Sequence, residues 1–279
     1  MEPTIERLRS IAKFKARSHD TSAQVHIPLL QAHAAQNEPG PQVCLVGDSM
    51  FERMTTTGES PNFVAPWPSP AMLDHATLDA LRNGNRNLCR LERVFNAGVG
   101  GDRIQNIAYR LAGVSGGSSS SSSKGGPAKE EASGGESGSL PGLLPLLAAF
   151  GSIRLWVVQA GTNNLSPKKG LTDADRDALR VLLETLLDVN PADGEECRML
   201  VTGLFYRKDV ANELVDEANA KICGVVRVLN DKFGSERVVF LPASAEVKTD
   251  KHLVDHVHLT LDGYRLWIKE LFPAVMSLL

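Results

Sequence analysis

A serine hydroxyl becomes a useful nucleophile only beside a base that takes its proton, and this chain holds a candidate for every part of that arrangement. Ser49 closes the apolar run VCLVGDS. His258 is the candidate base, and Asp255, three residues earlier, can accept a hydrogen bond from the other ring nitrogen and fix the tautomer. An anion forming on an attacked carbonyl needs preorganised donors. The backbone N–H groups of Ser49 and Gly101 and the side-chain amide of Asn163 are on offer. Together these parts suit ester cleavage through an acyl-enzyme on Ser49, with activity falling in acid as the base protonates.

Each part also has a plainer reading. Gly47-Asp48-Ser49 after a strand is a common helix N-cap. The turn Gly98-Val99-Gly100-Gly101-Asp102 could cradle a phosphate, but it lacks the spacing and the later acidic ribose partner of a dinucleotide site. Asp102 is read as a cap for the helix that follows. Asn163-Asn164 could cap a turn. His252, His256 and His258 raise the question of a metal, yet no HExxH or accompanying carboxylate pattern supports one. A Gly-x-Ser-x-Gly match at residues 113–117 lies against polyserine, without the strand and helix that a nucleophile elbow requires.

The elements that must position these residues alternate along the chain. Short apolar runs rich in β-branched residues occupy 43–47, 93–96, 153–160, 199–204 and 238–241. Helical patterns fall at 73–81, 104–111, 173–187, 210–233 and 261–279. Near-continuous apolar strands alternating with amphipathic helices predict a parallel sheet covered on both faces. In such sheets ligands bind beyond the carboxyl ends of the strands, where Ser49, Gly101, Asn163 and the Asp255–His258 pair all fall. The expected organisation is one domain over 1–279, with a helical extension over about 1–40 and an insertion at 115–139. That insertion, SGGSSSSSSKGGPAKEEASGGESGS, has no aromatic or branched aliphatic residue and is expected to be disordered.

Bulk composition narrows the partners. The 279 residues are 42% hydrophobic and 23% charged with a formal net charge of −3, leaving no basic excess for nucleic acid or anionic membrane. No apolar stretch approaches the ~18 to 20 residues of a membrane span, and the N-terminal segment lacks the apolar core of a leader. The four cysteines form no CxxC pair, and Cys44 and Cys223 sit in apolar runs as reduced, buried thiols would. The expectation is a cytoplasmic protein.

The four segments resemble the blocks of SGNH (GDSL-type) hydrolases. GDSM at 47–50 is similar to the serine block, Gly101 falls at the glycine position, GTNN at 161–164 resembles the Gly-x-Asn-Asp block, and Asp255 with His258 resembles Asp-x-x-His. Within that family NAGVGGD, GTNN and DHVHLTLDGY are most similar to catalytic subunits of platelet-activating-factor acetylhydrolase and related small esterases. The resemblance runs from about Gln42 to the C-terminus, less the insertion. It implies a flavodoxin-like three-layer α/β/α fold with five parallel strands, a small-molecule ester as substrate, no metal and no cofactor. By analogy it also suggests short acyl chains and a homodimer. A carbohydrate deacetylase of the same family and a non-catalytic binding protein keeping the fold are the alternatives.

The chain departs from the family at Asn164, where many members carry aspartate, at the insertion, and at the long Pro-rich stretch 55–70. Phe63 and Trp67 in that stretch either line a substrate pocket or pin the loop to the core. Asp48, Asn164 and His256 are further candidates to touch substrate, and Trp156 is read as core.

Overall fold

In a computed structural model describing residues 1–82, 89–114 and 139–279, the apolar runs form a five-stranded sheet. In chain order the elements are α1 (Glu2–Ile11), α2 (Ala16–Thr21), α3 (Ile27–Ala35), β1 (Val43–Gly47), α4 (Ser49–Glu52), α5 (His75–Arg82) and β2 (Val94–Gly98). Then come α6 (Ile104–Ala112), α7 (Leu143–Ala149), β3 (Leu155–Gln159), α8 (Asp173–Leu187), β4 (Arg198–Thr202) and α9 (Asn212–Phe233). The chain ends with β5 (Val238–Leu241), α10 (Thr249–His252) and α11 (Leu261–Ser277). The insertion, Ser115 included, lies outside the described residues except at its end, Ser139.

The strand order is β2-β1-β3-β4-β5 with every pairing parallel. This is the flavodoxin-like order, whose switch point lies between β1 and β3. Successive strand side chains point to opposite faces, and the core divides accordingly. Cys44, Val46, Phe95, Trp156, Val158 and Val201 pack with α1, α3 and α6 to α9. Val43, Leu45, Val94, Leu155, Val157 and Leu200 pack with α4 and α11. The result is the expected three-layer α/β/α arrangement. The strands read as continuous apolar runs because both of their faces are covered.

Helix α11 clamps the short α4 that carries Ser49. Tyr264 Oη donates to the Met50 carbonyl at 2.7 Å, and the Trp267 ring stacks on Phe51 with centroids 5.5 Å apart. On the other side, α4 rests on the end of β2. Asn96 Nδ2 donates to the Phe51 carbonyl at 2.8 Å, and a Cβ on Gly98 would lie 2.4 Å from Glu52 N. Only glycine permits that approach.

The Pro-rich stretch is held down by its aromatics. Trp67 is 3% exposed, meets Phe272 edge-on and pairs through its backbone with Leu91. Phe63 is 6% exposed and sits edge-on to both His33 and Phe95. Both are buried, which favours the loop-anchoring reading, although Phe63 also lines a cavity with His33 and Pro66. Their rings pack edge-on against Phe95 and Phe272, and such aromatic pairs add to the stabilisation from buried apolar area. Trp156 is fully buried as expected.

All four cysteines are free. Cys44 is buried, while Cys223 is only partly so, its helix turning that position toward the rim of α9. No helix among the described residues is long and apolar enough to cross a membrane.

Trp267, 1% exposed between Phe51 and Phe205, is the largest side chain joining α11 to α4. Trp267→Ala is expected to cost about 3–5 kcal/mol, measured as a shift in the urea unfolding curve.

Candidate active site

The carboxyl edge of the sheet gathers the expected residues from loops that follow successive strands. Gly47, the last residue of β1, leads directly into Asp48 and Ser49. Asp48 caps α4, its Oδ1 accepting from Met50 N at 3.0 Å. The cap leaves Ser49 at the first helical position, 5% exposed, where its N–H has no intrahelical partner. Asp48 itself is fully buried beneath the helix. It is therefore a structural cap, and its candidacy as a substrate contact is corrected. Burial raises its pKa to about 7, with Asp102 and Glu52 adding to the rise and Met50 N and Arg207 opposing it.

Asp255 and His258 come together in a loop closed by pairing of Leu253 with Leu259. His258 Nδ1 lies 2.7 Å from Asp255 Oδ2, and Asp255 Oδ1 accepts from the N–H groups of Val257 and His258, both at 2.8 Å. Partial burial raises the Asp255 pKa, but the ring hydrogen bond and the two N–H groups outweigh it and hold the carboxylate well below its ordinary value. A carboxylate so fixed keeps the ring in one orientation, with Nε2 free to act as the base. Thr260 then caps α11, accepting from Gly263 N at 3.1 Å. Among the described residues no hydrogen bond joins Ser49 Oγ to His258 Nε2; contacts of this kind are often long before substrate binds.

The glycine turn is built around a buried ion pair. Asp102 Oδ2 accepts from Arg110 Nε at 2.7 Å, and both side chains are fully buried. Arg110 Nη2 reaches on to the Gly47 carbonyl at 3.2 Å, and Ser18 donates to the second Asp102 oxygen. The capping role read for Asp102 is thus corrected. The N-cap of α6 is Arg103, and Asp102 turns inward because a buried arginine two helical turns along needs a counter-charge. Above the pair, Gly101 adopts φ +74, the left-handed region that favours glycine. Nothing among the described residues accepts from its N–H.

Asn163 joins the turn from β3. Its Nδ2 donates to the Asp102 carbonyl at 2.9 Å, using one of two amide hydrogens and leaving the other available. Asn164 faces away: it accepts from Ile104 N at 3.1 Å and donates to Gln105 at 3.1 Å and Asp175 at 2.7 Å. Those bonds tie α6 to α8, so its candidacy as a substrate contact is corrected as well. His256 is exposed at the rim, with Nε2 3.9 Å from Asp209 Oδ2 and its carbonyl accepting from Lys208 N at 2.8 Å. His252 spends Nδ1 on Lys248 N at 2.8 Å. Among the described residues no group of three or more His, Cys, Asp or Glu side chains is placed to hold a metal ion.

Three residues that shape this edge were not singled out from the sequence: Arg110, Arg207 and Lys15. Arg110 sits in IAYRLA, where a charge on an otherwise apolar helix face signals a buried partner. Arg207 forks onto Asp209 at 2.8 Å and donates to the Thr162 carbonyl at 2.7 Å, linking the β4 loop to the β3 loop. Lys15 reaches the Gly100 carbonyl from far along the chain at 3.1 Å, and no local pattern marks it.

No family model matches the chain, and no curated protein matches it. Solved structures do resemble it. A lipase/acylhydrolase from Enterococcus faecalis is 16% identical, with 85% of this chain and 96% of that one covered and a TM-score of 0.49. A GDSL-like lipase from Bacteroides thetaiotaomicron is 13% identical over 90% of this chain and 98% of that one, with a TM-score of 0.46. A carbohydrate acetylesterase family member from Sinorhizobium meliloti is 16% identical over 85% and 98%, also at 0.46.

Arg110→Met strands Asp102 without its counter-charge and is expected to cost about 3–5 kcal/mol, read from urea unfolding. For Asp48 the folded pKa of about 7 lies above the unfolded value. Its stabilising contribution is therefore complete below the unfolded pKa and is lost as pH rises through about 7. Asp48→Asn, which keeps an acceptor for Met50 N, should lose less stability than wild type between about pH 5 and about pH 8, compared by urea unfolding at both values.

Proposed function

We propose that the chain is a serine esterase of the SGNH type that cleaves carboxylic esters with short acyl groups through an acyl-enzyme on Ser49. The observation that carries the reading is the Asp255–His258 hydrogen bond of 2.7 Å, set on the sheet edge that also presents Ser49 and the unoccupied N–H of Gly101.

In this reading His258 Nε2 takes the Ser49 proton as Oγ attacks the ester carbonyl. The tetrahedral oxyanion is held by the N–H groups of Ser49 and Gly101 and the free amide hydrogen of Asn163. His258 then returns the proton to the departing alcohol, leaving the acyl group on Ser49. Water, deprotonated by the same ring, releases the acid and restores the serine. Asp255 stays ionised throughout and stabilises the imidazolium formed at each proton transfer. Its depressed pKa means that it remains a carboxylate well into acid.

Ser49→Ala is expected to abolish hydrolysis of p-nitrophenyl acetate and labelling by a fluorophosphonate probe while leaving the urea midpoint unchanged. Turnover retained in that variant would sink the assignment. Asn163→Ala removes one donor and should lower kcat by about 100- to 1000-fold. Rates across acetate, butyrate and octanoate esters, with sugar acetates alongside, test the short-acyl preference against deacetylation of carbohydrate.

A further inference from the structure

The segment joining α1 to α2, together with α2, is sewn onto the glycine turn. Lys13 N donates to the Gln105 carbonyl at 3.0 Å, and Asn106 Nδ2 donates to the Lys13 carbonyl at 2.9 Å. Arg17 pairs with Glu52 of α4 at 2.9 Å, Ser18 donates to Asp102, and His19 Nδ1 lies 2.9 Å from Tyr109 Oη. In the middle of these anchors Lys15 extends its ammonium over the turn. Nζ donates to the Gly100 carbonyl at 3.1 Å and lies 3.8 Å from Asp102 Oδ1. A Cβ on Gly101 would stand 2.6 Å from that Nζ, so the ammonium lies close against the turn.

The Gly100 carbonyl and the Gly101 N–H are opposite ends of one planar peptide unit. In a trans peptide they point in opposite directions, so a cation gripping the carbonyl leaves the N–H directed away from itself. A charge-assisted bond at one end of an amide also polarises the other, because hydrogen bonds in series reinforce each other. Burial lowers the Lys15 pKa from its ordinary value, with Arg17 and Arg103 adding to that and Asp102 and Glu52 opposing it.

We propose that Lys15 is a positioning residue for the oxyanion hole: its bond to the Gly100 carbonyl fixes and polarises the peptide whose other end, the Gly101 N–H, receives the oxyanion. The proposal rests on the acyl-transfer reading of the site. It makes the N-terminal arm part of the catalytic apparatus, although the arm contributes no atom that touches substrate.

The test compares Lys15→Met, which keeps the apolar stem over the turn, and Lys15→Arg with wild type and Ser49→Ala. Lys15→Met should lower kcat for p-nitrophenyl acetate about tenfold, less than outright loss of an oxyanion donor, with KM within about twofold. The rate of Ser49 labelling by a fluorophosphonate should fall in parallel, since its phosphoryl oxygen uses the same hole. Lys15→Arg should recover most of both rates. An unchanged kcat in Lys15→Met, with wild type active and Ser49→Ala inactive, overturns this proposal alone. So does a loss of kcat that merely follows the folded fraction measured by urea unfolding. A wild type that neither turns over ester nor takes the label overturns the acyl-transfer reading, and the role of Lys15 with it.

Discussion

The carboxyl edge of this protein is organised by one buried ion pair, Asp102 with Arg110. Removing two charges from water is costly, and the attraction between them offsets that cost only when the remaining donors and acceptors are also satisfied. Here partners come from three separate parts of the chain, while Arg110 Nη1 has none among the described residues. Arg110 uses a second nitrogen on the carbonyl of Gly47, at the end of β1, while Asp102 receives Ser18 from α2. The Asp102 carbonyl in turn takes the Asn163 amide from the β3 loop. A pair that demands these partners fixes where the turn after β2 lies relative to Gly47, two residues before Ser49. The segments carrying Ser49, Gly101 and Asn163 are thus held by a common anchor.

The Asp255–His258 pair is held differently. Asp255 is exposed and His258 half-buried, and their geometry comes from short-range bonds within one loop. That loop is tied to the rest through the Leu253–Leu259 pairing, the Thr260 cap of α11 and the bond from Lys208 N to the His256 carbonyl. Because α11 also stacks Trp267 on Phe51 and bonds Tyr264 to Met50, the helix that follows the histidine presses directly on the helix that carries the serine. Loops of this kind, locally ordered but lightly buried, open more readily than the strands they join.

Much of this was legible without coordinates. Apolar runs such as VCLVG and LWVVQ announced strands covered on both faces, and their alternation with amphipathic helices led to the parallel sheet. Asp255 and His258 could be paired because three residues within one turn leave few other geometries. Trp156 could be placed in the core because a large aromatic inside such a strand has nowhere else to go. Local spacing determined these features, so local reading reached them.

The remaining features needed the tertiary structure because they depend on partners distant in sequence. Whether Phe63 and Trp67 faced a pocket or the core turned on Phe95 and Phe272, which lie on other elements. Asp48, Asp102 and Asn164 all carry side chains suited to binding substrate, yet Met50 N, Arg110 and Asp175 claim them first. Lys15 is 85 residues from the carbonyl it grips, and its own neighbourhood gives no hint of that contact. By itself the sequence determined the sheet, its covered faces and the chemical types gathered at one edge, since hydrophobic periodicity and strand ends are local properties. Only the fold decided which of those polar groups remain free for chemistry, because a buried polar group must be satisfied by whatever lies next to it in space.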